Sequence, residues 1–285
     1  DAANAVIRHN ESRKPKRLWT DEGAGEPIAA YEAKDEQDEA AFIADQIRDL
    51  ESDGTALSDV AVFYRTNAQS RVIEEVFVRY GVPYQVVGGL KYYDRREVKD
   101  AIAYLRAVLN PDDQVALKRI INVPKRAIGD TSVAHVDRFA EGEEISFFEA
   151  LRRVDENPRL TARAQRSIQE FVALLDHLGE RAADGPASAI QAVLDETGYL
   201  DMVRSDRSIE AMGREENLRE LASAVAEFEE VGPASMGPAE WAELDAMEKL
   251  GMFLESISLV TDTDSYEDVE VVTLMTLHNA KGLEF

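Results

Sequence analysis

Cysteine is absent from these 285 residues, which excludes disulfides, thiolate metal sites and cysteine nucleophiles. No run of about 18 uninterrupted apolar residues occurs, so a helix crossing a bilayer is not encoded. The amino terminus, D-A-A-N-A-V-I-R-H-N, starts as a short amphipathic helix and lacks signal-peptide architecture. Histidine is scarce: His9, His135, His177 and His278 show no metal-ligand spacing. The string G-x-x-x-x-G-K followed by Ser or Thr does not occur, so there is no phosphate-cradling loop of that type. No predicted strand ends in the acidic pair that would hold Mg²⁺. These absences predict a soluble, cytoplasmic, metal-independent protein. Positive charge is also short, 32 Lys and Arg against 56 Asp and Glu, a formal net charge of −24. Such a surface repels a polyanion, so any nucleic-acid contact must come from local basic patches. Acidity of this kind also serves solubility alone.

What the sequence does contain is enough apolar residue, 45%, for a full core, and a length that suggests about two domains. Strands are predicted at 27–32, 60–64, 84–87 and 271–275, where β-branched and apolar residues cluster. Between the first three lie helices. One opens at Asp35 with Ala40, Phe42, Ile43, Ile47 and Leu50 on one face; another runs over 68–80 with Val72, Ile73, Val76 and Phe77 as its stripe and Gly81 at its end. Strands alternating with helices indicate a parallel sheet. From residue 95 to about 256 the pattern is helical throughout, with candidates at 96–109, 113–121, 130–141, 145–153, 159–182, 187–196, 214–231 and 238–256. Pro111, Pro124, Pro158, Pro186 and Pro233 fall between them as breakers. The acidic stretch at 205–256 carries Phe228, Trp241, Leu244, Met247 and Leu250, read as core, and its acids as a solvated face. The expected fold is α/β: one parallel-sheet domain split in sequence, with an all-α domain inserted into it.

Three stretches carry chemistry. Residues 271–285, V-V-T-L-M-T-L-H-N-A-K-G-L-E-F, place Thr276, His278, Lys281, Gly282 and Glu284 just after a strand, where α/β sheets bind ligands. Taken singly, each reads as well as part of a polar turn. The second stretch, F-Y-R-T-N-A-Q-S-R, ends the strand at 60–64; Arg65 and Asn67 sit at a strand-to-helix junction that offers donors to phosphate. The plain alternative is a helix cap by Thr66 or Asn67. The third, N-V-P-K-R-A-I-G-D-T at 122–131, lies between two helices in the layout of a helix–hairpin–helix. Six basic residues against four acidic ones over 104–140 make this the least acidic part of the helical region. An ordinary inter-helix turn is the rival. The segment Y-Q-V-V-G-G-L-K-Y-Y-D-R-R-E is read as structural.

Together these strings resemble the superfamily 1 DNA helicases of the UvrD/PcrA/Rep type. T-x-H-x-x-K-G-L-E-F is similar to their motif V and F-Y-R-T-N-A-Q-S-R to their motif IVa. The resemblance implies a partial RecA-like domain, called 2A, over 1–103 and 268–285, with an inserted helical domain, 2B, over 104–267. It implies single-strand DNA contacts at Arg65, Asn67, Thr276 and His278. Lys281, Gly282 and Glu284 would belong to half of a nucleotide site, Lys281 near the phosphates and Glu284 near the ribose. Lys125, Arg126, Ile128, Gly129 and Thr131 would grip duplex DNA. ATP and Mg²⁺ are implied for the full-length parent, together with DNA at a single-strand/duplex junction and repair proteins as partners. Without a P-loop the piece alone is expected to hydrolyse no ATP. Ala127 stands where the family pattern T-P-x-R-G-I-G has its first glycine, which argues against a positive φ there. Two other readings stay open: the helicase part of an AddA/RecB-type helicase–nuclease, and a regulatory or protein-binding module with no DNA role.

Overall fold

The computed structural model describes residues 2–10, 19, 26–233, 235–261 and 270–281. After a short helix α1 (Ala2–Ile7), helix α2 (Glu36–Ser52) begins at Asp35, whose side chain accepts from the Asp38 N–H. Glu36, Asp38 and Glu39 occupy its first turn, the end of a helix that favours negative charge. Ala40, Ala44 and Ile47 are buried at a spacing that forms one face. Strand β1 (Ala61–Tyr64) runs into a single 3₁₀ turn at Asn67–Gln69 and then helix α3 (Ser70–Tyr80), ended by Gly81 in the left-handed conformation. Strand β2 (Tyr84–Val86) follows. The last strand in sequence, β3 (Val272–Thr276), inserts between the other two, parallel to both. Val272, Leu274 and Met275 are buried, and the unbroken apolar run is what a central strand covered on both faces requires.

The stretch 27–32 is not a strand; the structure has no regular element there, and Ile28 is 80% exposed. Its alternation has no buried face to serve, and Pro27 brings no N–H to a ladder. Tyr31 instead stacks on Phe42 of α2, ring centroids 4.0 Å apart.

The helical region comprises α4 (Arg96–Leu109), α5 (Gln114–Ile120), α6 (Asp130–Glu143), α7 (Phe147–Arg152), α8 (Ala162–Ala182), α9 (Pro186–Glu196), α10 (Tyr199–Ser205), α11 (Ile209–Val231), α12 (Pro238–Glu243) and α13 (Ala246–Thr261). It differs from expectation in two places. An extra helix, α10, precedes α11, which starts at Ile209 with Ser208 accepting from the Ala211 N–H. The stretch 238–256 is two helices, because Asp245 and Glu248 form a reciprocal cap: Asp245 accepts from the Glu248 N–H and Glu248 from the Asp245 N–H.

Two cores result. The smaller joins α2, α3 and the sheet through Ala44, Val76, Phe77, Tyr84, Val272 and Leu274. The larger runs from Tyr92 to Ile257 and includes the apolar face of α4, from Val98 to Val108. They meet along α3. Both carboxylate oxygens of Glu74 accept from the Tyr92 N–H, at 3.2 and 3.1 Å, and the Tyr93 hydroxyl donates to Glu75 at 2.6 Å.

Candidate nucleic-acid interface

Strand register builds the site. Tyr64 of β1 lies opposite Thr276 of β3, so the chain segments that follow each strand leave the sheet side by side at its carboxyl edge. Arg65 and Asn67 emerge from one, Leu277 and His278 from the other, and all four are exposed. The first turn is locked from within: the Gln69 side-chain oxygen accepts from the N–H groups of Arg65 and Thr66, each at 3.0 Å. The second is capped by Thr276, whose hydroxyl accepts from the Asn279 N–H at 3.2 Å and opens a four-residue helix, α14 (Leu277–Ala280). That hydroxyl keeps a proton to donate elsewhere. Asn279 ties in the third strand end. Its side-chain nitrogen donates to the carbonyls of Val87 and Gly88, at 3.4 and 3.2 Å.

The four residues expected to touch a single strand therefore lie along one rim. Two of them, Arg65 and His278, present a guanidinium and an imidazole to solvent; Thr276 is 8% exposed and contributes chiefly through its cap. Of the expected nucleotide group, Lys281 is exposed, one residue past α14, while Gly282 and Glu284 lie outside the described residues. Among the described residues no cluster of His, Cys, Asp and Glu is arranged to hold a metal ion. Asn279 was not singled out in the sequence; its position inside the T-x-H-x-x-K string was the available signal.

The hairpin at 121–129 is built around Asn122. Its side-chain oxygen accepts from the N–H groups of Arg126, at 2.8 Å, and Ile128, at 3.3 Å. Ile128 is buried as the plug beneath the turn. Ala127 has φ +60, so the left-handed conformation is adopted without the glycine, contrary to expectation. The strain of about 1–2 kcal/mol that an L side chain brings there is offset by the two bonds to Asn122, and Ala127 itself is exposed.

Arg126 also departs from expectation. Its guanidinium turns inward, donating to the carbonyls of Ile120, Pro124 and Thr197 and to the Tyr104 hydroxyl at 2.7 Å, and it sits over the rings of Tyr104 and Phe171. Of the pair at 125 and 126, Arg126 is part-buried by these bonds and one residue is exposed. That one is Lys125; Gly129 and Thr131 are exposed beside it. An open cleft of about 450 Å³ runs between α5 and α6, and its cations are neutralised: Lys118 pairs with Asp137 at 2.7 Å and Arg119 with Asp100 at 2.8 Å.

The sequence profile of the UvrD-like helicase C-terminal domain matches residues 1–285. The chain belongs to that family. Relatives include the ATP-dependent DNA helicase UvrD1 of Mycobacterium tuberculosis, 45% identical over 291 residues, and the ATP-dependent DNA helicases PcrA of Staphylococcus epidermidis and Bacillus subtilis, 41% and 40% identical. Each match covers 100% of this chain and 38% of the relative. The chain thus spans well under half the length of the relatives it matches. Within this UvrD-like domain, no described helix is long and apolar enough to cross a membrane.

Proposed function

We propose that this UvrD-like domain forms part of an ATP-dependent 3′–5′ DNA helicase and supplies the single-strand grip of one motor domain. The observation that supports this is the pairing of Tyr64 with Thr276, which sets Arg65 and Asn67 beside Thr276 and His278 on one rim. Arg65 neutralises a phosphate, Asn67 and Thr276 donate to backbone oxygens, and His278 offers a donor or a ring face to the strand. None of these contacts depends on base identity, as a translocating motor requires. The chain as a whole carries a formal net charge of −24, which favours confining DNA to such patches.

In this reading residues 1–103 and 268–285 form the RecA-like part and 104–267 the inserted helical domain; two separate cores support a division of this kind, although the larger one already takes in Tyr92, Tyr93 and the α4 residues Val98 to Ala103. ATP in the whole protein supplies the energy of translocation. Lys281, exposed just past α14, would meet its phosphates; no described group is arranged for Mg²⁺. Lys125, Gly129 and Thr131 would approach a duplex backbone from the hairpin, with Ile128 and Arg126 holding its shape from beneath. Cytoplasmic DNA repair or replication is the setting this chemistry suits.

The test uses the intact parent helicase. Arg65→Ala with Asn67→Ala, and separately Thr276→Ala with His278→Ala, should each weaken binding to a fluorescent oligothymidylate at fixed salt and lower DNA-stimulated ATP hydrolysis. Unchanged affinity in both double variants would overturn the assignment.

A further inference from the structure

The turn that carries Asn67 is held by a residue that also belongs to the joint between the two cores. Arg95, 7% exposed, precedes α4. Its guanidinium donates to the Asn67 carbonyl at 2.7 Å, to the Ser70 hydroxyl at 2.9 Å, to the side-chain oxygen of Asn217 at 3.0 Å and to the Leu90 carbonyl at 3.3 Å. Ser70 donates to that same Asn67 carbonyl, at 2.9 Å. Asn217 sits on α11, in the larger core, and is 4% exposed. Its own side-chain nitrogen donates to Glu97 at 2.6 Å, and its carbonyl accepts from the Tyr92 hydroxyl at 2.7 Å. One turn further along α11, Glu220 accepts from Arg71 of α3 at 2.7 Å. Helix α11 therefore contacts the base of the single-strand turn through a chain of buried polar bonds: Asn217 to Arg95 to the Asn67 backbone.

We propose that Asn217 and Arg95 are positioning residues that make the single-strand grip at Asn67 depend on the seat of α11. Buried polar groups tolerate no intermediate arrangement: either every donor finds its acceptor or a charge is left unpaired away from water. A displacement of α11 by the length of one hydrogen bond withdraws the Asn217 acceptor, and Arg95 then re-aims, leaving the Asn67 carbonyl held by Ser70 alone. The helical body thereby gains a direct influence on how tightly the sheet's rim holds a strand, with no DNA contact of its own involved. The inference rests on the reading of Asn67 as a single-strand contact.

A double-mutant cycle in the intact parent helicase tests both. Single-strand Kd is measured for the wild type, Asn67→Ala, Asn217→Ala and the pair. Asn67→Ala leaves the backbone carbonyl in place and removes only the DNA-facing side chain. Asn217→Ala is expected to weaken single-strand binding about fivefold in the wild-type background and by less than about twofold when Asn67 is already alanine, a coupling within the range of residues that share a network. Equal losses in both backgrounds would mean that Asn217 only supports the fold, and would overturn the proposal. No effect of Asn67→Ala sinks the underlying reading, and the inference with it. Arg95→Lys, which keeps the charge but has three donors on one nitrogen for the four acceptors the guanidinium fork meets, runs through the same cycle as a second variant. It should show the same coupling, and additivity there overturns the proposal even if Asn217→Ala does not fold.

Discussion

Gly88 and Asn279 are in such close contact that a Cβ on residue 88 would lie 2.5 Å from the Asn279 side-chain nitrogen. Gly88 also has φ +76, a conformation that strains any L side chain. Gly88→Ala should therefore push the Asn279 carboxamide off the carbonyls of Val87 and Gly88 and loosen the link between β2 and the rim. The expected cost is about 2–4 kcal/mol from left-handed strain and two lost polar contacts. Urea unfolding of the wild type and variant measures it. A variant as stable as the wild type would show that the rim does not depend on this contact.

A second expectation concerns Asn122, which accepts from the N–H groups of both Arg126 and Ile128. Asn122→Ala leaves two part-buried donors without their acceptor, at about 1–3 kcal/mol for each group that stays unsatisfied, and frees Ala127 from its left-handed conformation. Ala127→Gly should do the opposite. It relieves strain in the folded state but loosens the unfolded chain, so its net effect should stay within about 1 kcal/mol. Thermal unfolding of the two variants should separate them clearly.

Much of this was legible in the sequence. The β-branched run at 271–275 and the stripe of α3 dictated a parallel sheet, and β3 pairs parallel with both partners. The strings around Arg65 and Thr276 gave the rim, because position relative to a strand end is local information. What stayed hidden depended on side-chain direction or on distant partners. Lys125 and Arg126 are indistinguishable as letters, and only the turn decides which one faces inward. Arg95 and Asn217 are 122 residues apart, and no local pattern announces their bond. The strand expected at 27–32 failed for the reverse reason: alternation alone does not supply a sheet to join. The break before α13 was readable, since Asp245 and Glu248 have capping-box spacing, but the apolar periodicity running through it masked the signal.

The hairpin predicts different outcomes for its two cations. Lys125 is exposed, so Lys125→Ala in the parent should leave stability unchanged. If the hairpin grips a duplex, the same change should lower the log–log salt slope of junction binding by about 0.9 for the lost phosphate contact. Arg126→Ala removes a guanidinium bonded to three carbonyls and a phenol, and should destabilise the helical core by about 2–4 kcal/mol. Junction titrations at several salt concentrations, read beside unfolding curves, check both. A flattened slope in Arg126→Ala at full stability would reverse the two roles.

Tyr104 gives the pH dependence. Burial pushes its phenol up to about 12, more than the neighbouring Arg126 guanidinium pulls it down, from an ordinary value of 10.0. Burial raises Tyr92, Tyr93 and Tyr199 in the same direction. The sign follows from which state loses the proton first. Above pH 10 the unfolded chain ionises Tyr104 while the folded chain keeps it neutral, so the unfolded state gains and stability falls. The contribution is intact below about pH 10 and is lost as pH rises from 10 to 12, at about 1.4 kcal/mol per pH unit for this one group. Tyr104→Phe should lower stability at neutral pH, because the bonds to the Val123 carbonyl and Arg126 disappear. The same variant should lessen the alkaline slope by one proton's worth. Denaturant midpoints measured between pH 9 and 12, with tyrosinate absorbance followed in parallel, test this directly. Tyrosinate appearing in the folded protein near pH 10 in full stoichiometry would show that none of these phenols is shielded, and would remove the basis of the prediction.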